Sequence, residues 1–267
     1  MRQRNALGLD RSLLTAVGAL VVLSVNPAFG QDLFEIQVYP YETVEPHRTM
    51  VELHTNYFAV GTTTAELNEY PLNHQTHVTL EVTHGFTKYF ELAGYLVTAA
   101  HVPSEGGKFA GVRIRPRFRL PESSSFPFNV SLSFEMGFNQ ARFEANTRTI
   151  EIRPILERHQ GRFYLAINPD LTKTLEGPDS KSGLHFEPGV KVAWDVTRTV
   201  AAGVEYYGAT GALTDPAPVA EQRHMLFPTL DLNVSPDWEL NFGVGRGLTS
   251  ASEKWVVKSI VGYRFKR

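Results

Sequence analysis

The chain of 267 residues contains no cysteine, so no disulfide framework holds it together. It also lacks a strong charge of either sign: the balance is −2 and the pI about 6.5, which removes nucleic acid as an expected partner. Beyond Gln31 no apolar run survives more than a few positions, whereas a membrane-spanning helix needs roughly 20 apolar residues. No glycine-rich phosphate loop, paired-carboxylate motif or H-x-x-x-H spacing occurs, so no cofactor, metal or enzymatic activity is expected from motifs. What remains is 42% apolar and 11% aromatic residues, enough to bury a core.

The first thirty residues differ from the rest. Arg2 and Arg4 precede the apolar run Leu13 to Val25, which Asn26 and Pro27 break, and Ala28-Phe29-Gly30 puts small residues two apart before Gln31. That order is a secretory signal peptide, with cleavage expected after Gly30. The run is too short for a membrane anchor. An exported chain without a helical span is either a soluble periplasmic or secreted protein or a β-barrel, because only helices and closed barrels span lipid.

Pattern separates the two. Val112-Arg113-Ile114-Arg115-Pro116-Arg117-Phe118-Arg119-Leu120 alternates without a miss, and Phe128 to Phe138 does the same. Successive strand residues face opposite ways, so each segment has one apolar and one polar face. Twelve such segments lie near 50–60, 74–83, 89–98, 111–120, 128–138, 148–157, 162–169, 184–194, 200–208, 223–234, 238–246 and 255–265. Their length of about ten residues suits tilted transmembrane strands, and soluble strands are shorter. The expected connections alternate long (61–73), short (84–88), long (99–110), short (121–127) and onward along the chain. Transmembrane barrels separate short periplasmic turns from longer outer loops in this way. The expected fold is therefore all-β: a transmembrane antiparallel up-and-down barrel of twelve strands over 49–267, both termini periplasmic. Residues 31–48, with weak alternation and two prolines, read as a periplasmic extension folded against the lower rim.

Aromatic residues cluster at the ends of the apolar faces. Phe90, Phe118, Phe128, Phe163, Trp194 and Trp238 lie near the short turns, while Tyr57, Phe138, Phe186, Tyr206 and Trp255 lie toward the long loops. Two girdles at opposite heights suit a lipid-facing band about 25 Å tall better than general strand propensity does. Pro116, Pro154, Pro188 and Pro228 fall inside descending strands, where a missing ladder donor implies bulges or a shared bend. The last strand carries Phe265 near the C-terminus, similar to the signal read by outer-membrane assembly machinery.

Function belongs on the polar face, which lines the lumen. Arg113, Arg115, Arg117 and Arg119 form a ladder with about 6.6 Å between successive residues. Unpaired, it would draw anions; paired with acids such as Glu91 and Glu135, it would be neutral, and the acid content of the other strands favours pairing. Arg153, Glu187, Lys191 and Glu205 complete the candidate selectivity residues. His54, His77 and His185 come from three strands without ligand spacing, so lumen polarity explains them better than a metal. Ser259 and His224 are the candidates for a barrel lipid hydrolase, but they sit two strands apart with no orienting group. Twelve strands imply a narrow, partly occluded lumen.

The phrase His84-Gly85-Phe86-Thr87-Lys88-Tyr89-Phe90-Glu91-Leu92 resembles a strand-turn-strand motif of many outer-membrane barrels. With Ile167-Asn168-Pro169, Glu205-Tyr206-Tyr207-Gly208 and Gly262-Tyr263-Arg264-Phe265, the chain resembles the outer-membrane transporters named for a phenol meta-degradation pathway. That resemblance implies uptake of small, aromatic solutes. Three functions stand: a narrow pore or transporter for small anionic or aromatic solutes, a structural barrel in outer-membrane lipid, and a barrel lipid hydrolase.

Overall fold

A computed structural model describes residues 32–64, 67–123 and 125–265. The expected signal peptide over 1–30 and the expected cleavage after Gly30 lie outside the described residues. Twelve long antiparallel strands close into a barrel: β1 (Thr49–Val60), β2 (Thr76–Thr87), β3 (Phe90–Val102), β4 (Gly106–Arg119), β5 (Asn129–Asn139), β6 (Arg148–Gln160), β7 (Phe163–Glu176), β8 (His185–Asp195), β9 (Val200–Ala209), β12 (Arg223–Leu232), β13 (Trp238–Gly247) and β14 (Trp255–Phe265). The two-residue strands β10 (Gly211–Ala212) and β11 (Asp215–Pro216) form a small ribbon in the loop after β9. Each long strand pairs with its chain neighbours, and β14 returns to β1 with Thr49 opposite Phe265, which leaves no open edge.

The apolar face points outward. Leu53, Leu80, Leu96, Ile114, Val192, Val244 and Val257 are exposed, whereas Glu52, His54, Glu81, Glu91, Arg115 and Lys258 are buried. Such an inversion is stable only where the surroundings are hydrocarbon. Phe118, Trp194 and Trp238 are exposed at the short-turn end, and Tyr57, Phe138 and Trp255 at the other, as a lipid band bounded by aromatic rings requires.

The connections differ from expectation at one hairpin. Residues 99–102 and 106–110 zip into ladder, leaving only 103–105 as a turn, with Ser104 at φ 65° and Gly106 at φ 76°. The loop after β4, residues 120–128, is the longer of the two. Alternation of polar and apolar residues fades in 99–110, but backbone hydrogen bonds need no such pattern. This hairpin therefore protrudes where a loop was expected.

The prolines do not make bulges. Between β4 and β5 the pairing steps from Ile114↔Met136 to Arg117↔Ser133, skipping Pro116 without changing register. Pro154 sits in the same kind of gap toward β7, and Pro228 toward β13. At β8 the ladder with β9 begins at Gly189, just past Pro188. Each ring removes one donor, and the ladder opens on that side alone.

Candidate functional site: a lumen occupied by the chain itself

Residues 32–44 do not lie against the rim. They run through the lumen from the long-loop half, where Leu33 meets Asn56 and His77, to the short-turn end, where Val44 meets Glu91 and Gly85. Phe34, Glu35, Ile36, Val38, Tyr39, Tyr41 and Val44 are all buried. Asp32 thus lies high inside the barrel, while Arg48 and Phe265 meet at the opposite end, so the two ends of the described chain are not on one side.

An extended segment inside a barrel has no strand partner, so its backbone groups must be satisfied otherwise. Wall side chains do this. The Tyr39 N–H donates to Asn168 Oδ1 at 2.6 Å, and Asn168 Nδ2 donates to the Tyr39 carbonyl at 3.2 Å. The Tyr41 N–H donates to Glu157 at 2.8 Å and the Val44 N–H to Glu91 at 2.6 Å. Lys258 Nζ donates to the Ile36 carbonyl at 3.0 Å. Apolar contacts add to this: Ile36 and Val38 pack with Phe58, Tyr207, Met225, Phe227 and Val256, and Phe34 stacks on His77 with centroids 3.9 Å apart. Gly245 makes room, since a Cβ there would fall 2.2 Å from the Phe227 ring.

The arginine ladder follows this segment along its length. Arg113 pairs with Asp32 and, at 3.3 Å, with Glu135. Arg115 pairs with Glu81 at 2.5 Å and Glu91 at 3.3 Å, bonds the Tyr95 hydroxyl, and holds its guanidinium 4.6 Å from the Tyr39 ring centre. Arg117 pairs with Glu91 at 2.7 Å and donates to the carbonyls of Pro40 at 3.1 Å and Glu42 at 2.7 Å. Arg119 donates to the Lys88 carbonyl and sits 5.2 Å over Tyr41. Pairing with acids is therefore present for three of the four, as the acid content of the neighbouring strands implied. The ladder is also a track that grips the extension, which periodicity alone did not reveal.

The other candidate residues are inside the barrel too. Arg153 bridges Glu151 at 2.7 Å and Asp170 at 3.0 Å and lies 4.1 Å over Tyr39, which thus touches three guanidiniums, counting Arg117 at 5.7 Å. Lys191 joins Glu205 at 3.2 Å to Asp231 at 2.7 Å, and Glu205 also holds Lys258 and accepts from Tyr207 at 2.7 Å. Glu187 accepts from Thr172 at 3.1 Å.

Above Asp32 the lumen opens into a cleft lined by Asp32, Glu135, Glu144, Glu151 and Glu187, with Arg113 the single lining arginine. Burial, with Glu69 nearby, pushes the loop carboxyl of Glu144 up to about 7. The cleft is acidic. Its polar surface suits cations or hydrogen-bonding solutes.

No catalytic constellation forms at the hydrolase candidates. Ser259 pairs across to Thr55 and Phe242, while the His224 imidazole is held by Tyr206 at 2.7 Å and Gln222 at 2.9 Å. No helix among the described residues is long and apolar enough to cross a membrane.

Neither a family model nor a curated protein sequence matches the chain. Solved structures do. The COG4313 outer membrane channel from Pseudomonas putida F1 superposes with a TM-score of 0.58 at 11% identity, covering 86% of this chain and 100% of that one. The fold is that of outer-membrane β-barrels. A KdgM porin gives 0.54 at 11% identity, covering 81% and 99%, and a NanC porin 0.51 at 10%, covering 81% and 100%.

Proposed function

We propose that this chain is a bacterial outer-membrane pore for small solutes, closed at rest by its own residues 32–44 and entered through the acidic cleft. The observation that carries the reading is the extension itself. Wall side chains alone fill a barrel of about eight strands, and a twelve-strand wall encloses more space than that. Here the wall devotes Asn168, Glu157, Glu91, Lys258 and the arginine ladder to holding a separate length of chain. The likeness to channel barrels supports it, as does the resemblance to phenol-pathway transporters in the short motifs. Membrane lipid and the assembly machinery are the expected partners, with export directed by residues 1–30.

The cleft decides the sign of selectivity. Asp32 and Glu135 share Arg113 and Glu151 pairs with Arg153, so Glu144 and Glu187 tip the balance toward cations at the mouth, and charged linings act at close range in a narrow pore. In planar bilayers under a salt gradient, the reversal potential should show cation preference. That preference should grow from pH 6 to pH 8 as Glu144 loses its proton, and Glu144→Gln should flatten the pH dependence. Anion preference would contradict the role of the cleft. A barrel that never conducts in any salt would leave the structural reading in possession.

A further inference from the structure

The histidines do not converge: His77 bonds Gln75 and His185 lines the upper cleft. His54, on β1, instead meets two acids from different parts of the chain. Glu81 comes from β2 and Glu35 from the extension, and one ligand atom from each of the three lies within 4.8 Å of the others. All three are buried: His54 and Glu81 are 1% exposed and Glu35 is 4% exposed.

We propose that Glu35, His54 and Glu81 form a divalent-cation site, of a kind suited to zinc, that ties the extension to the barrel wall. Four facts point the same way. Among the described residues, no hydrogen bond reaches either carboxylate oxygen of Glu35 or His54 Nδ1, and His54 Nε2 and Glu81 Oε2 face each other. Buried polar atoms left in that state cost free energy, and an ion bound by one nitrogen of His54, Glu81 Oε2 and an oxygen of Glu35 satisfies three of them at once. His54 Nε2 and Glu81 Oε2 are 3.3 Å apart, and tetrahedral zinc with ligand bonds near 2.0–2.1 Å places neighbouring ligand atoms about 3.4 Å apart. Each acid keeps a free oxygen for the ion. Arg115 occupies only Glu81 Oε1, and Arg113 approaches Glu35 no closer than 3.9 Å.

Charge supplies the fourth. Glu52, opposite Glu81 in the β1–β2 register and also buried, adds a third carboxylate to this corner of the lumen. Arg115 is the cation bonded there, and its second ion pair is spent on Glu91. A divalent ion offsets the negative charge gathered at this corner. One imidazole and two carboxylates suit zinc, whose fourth position a water would fill. The competing site formed by Asp32, Glu35 and Glu135 already holds the guanidinium of Arg113.

The inference deepens the plugged-pore reading, and its test needs no current. The full chain in detergent micelles is incubated with zinc chloride, dialysed, and assayed for bound zinc by emission spectroscopy. Wild type should retain roughly one zinc per chain, released by chelator, and both His54→Gln and Glu35→Gln should lose most of it. Glu35 is not part of the barrel wall, so the second variant reports on the site even if the first fails to fold. Wild type holding no more zinc than His54→Gln would overturn the proposal. Retention by Glu35→Gln with loss in His54→Gln would overturn the tie to the extension. A barrel that conducts without holding zinc and one that holds zinc without conducting separate this claim from the pore reading.

Discussion

Removing residues 32–44, with 1–31 left in place, should convert a mostly closed barrel into a steadily conducting one. The extension contributes Phe34, Ile36, Val38, Tyr39 and Tyr41 to the interior, all buried, and it runs nearly the full height of the wall. Nothing in the strand pairing depends on it, because β1 begins at Thr49 and closes against β14 without it. The barrel should therefore still form, and its lumen should fill with water. A rise in mean current on the order of tenfold is expected, the difference between a lumen packed with side chains and an aqueous one. The check is the bilayer current per inserted protein, beside heat-dependent gel mobility to show that the barrel is folded.

The second large effect is expected at Arg115. Its guanidinium is 2% exposed and serves Glu81, Glu91, the Tyr95 hydroxyl and the face of Tyr39. Arg115→Met keeps much of the volume but leaves the buried Glu81 without its guanidinium partner, while Glu91 keeps Arg117 at 2.7 Å. Breaking a buried pair in this way costs about 3–5 kcal/mol, because the remaining charge is stranded away from water. Denaturant unfolding of the micelle-bound barrel should show a loss of that size. Arg119→Met should have little effect, since Arg119 is less buried and bonds only a carbonyl at the short-turn end. Adding Glu81→Gln to Arg115→Met should restore part of the loss by removing one stranded charge.

Most of the wall was legible in the letters. Unbroken alternation from Val112 to Leu120 and from Phe128 to Phe138 locates β4 and β5 because a two-residue period permits no other regular structure. The same parity located the inward charges, from Glu52 to Lys258. It did not reveal what they hold. Ion pairs between strands follow from register, but the grip of Arg117 on the carbonyls of Pro40 and Glu42 follows from a third element crossing the lumen. The run Phe34-Glu35-Ile36-Gln37-Val38 alternates too briefly, and Pro40 and Pro46 break it. One signal was present: Phe58, Met225, Phe227 and Val256 carry apolar side chains on the lumen parity, where a water-filled pore has no use for them. They are the surface on which Ile36 and Val38 rest.

The central claim is that the extension closes the pore and must move for it to open. A Cβ built on Gly189 lies 3.5 Å from Val38 Cγ2, so Val38→Cys with Gly189→Cys places two sulfurs within bonding reach. The chain has no native cysteine to compete. Single-channel recording of this double variant, first oxidised and then with reductant added to the same bilayer, is the direct test. The account predicts silence in the oxidised state and openings at wild-type level after reduction, with neither single variant sensitive to reductant. Equal current in the two states, with the crosslink verified by mass, would show that the pore conducts past an immobile extension and would contradict the account.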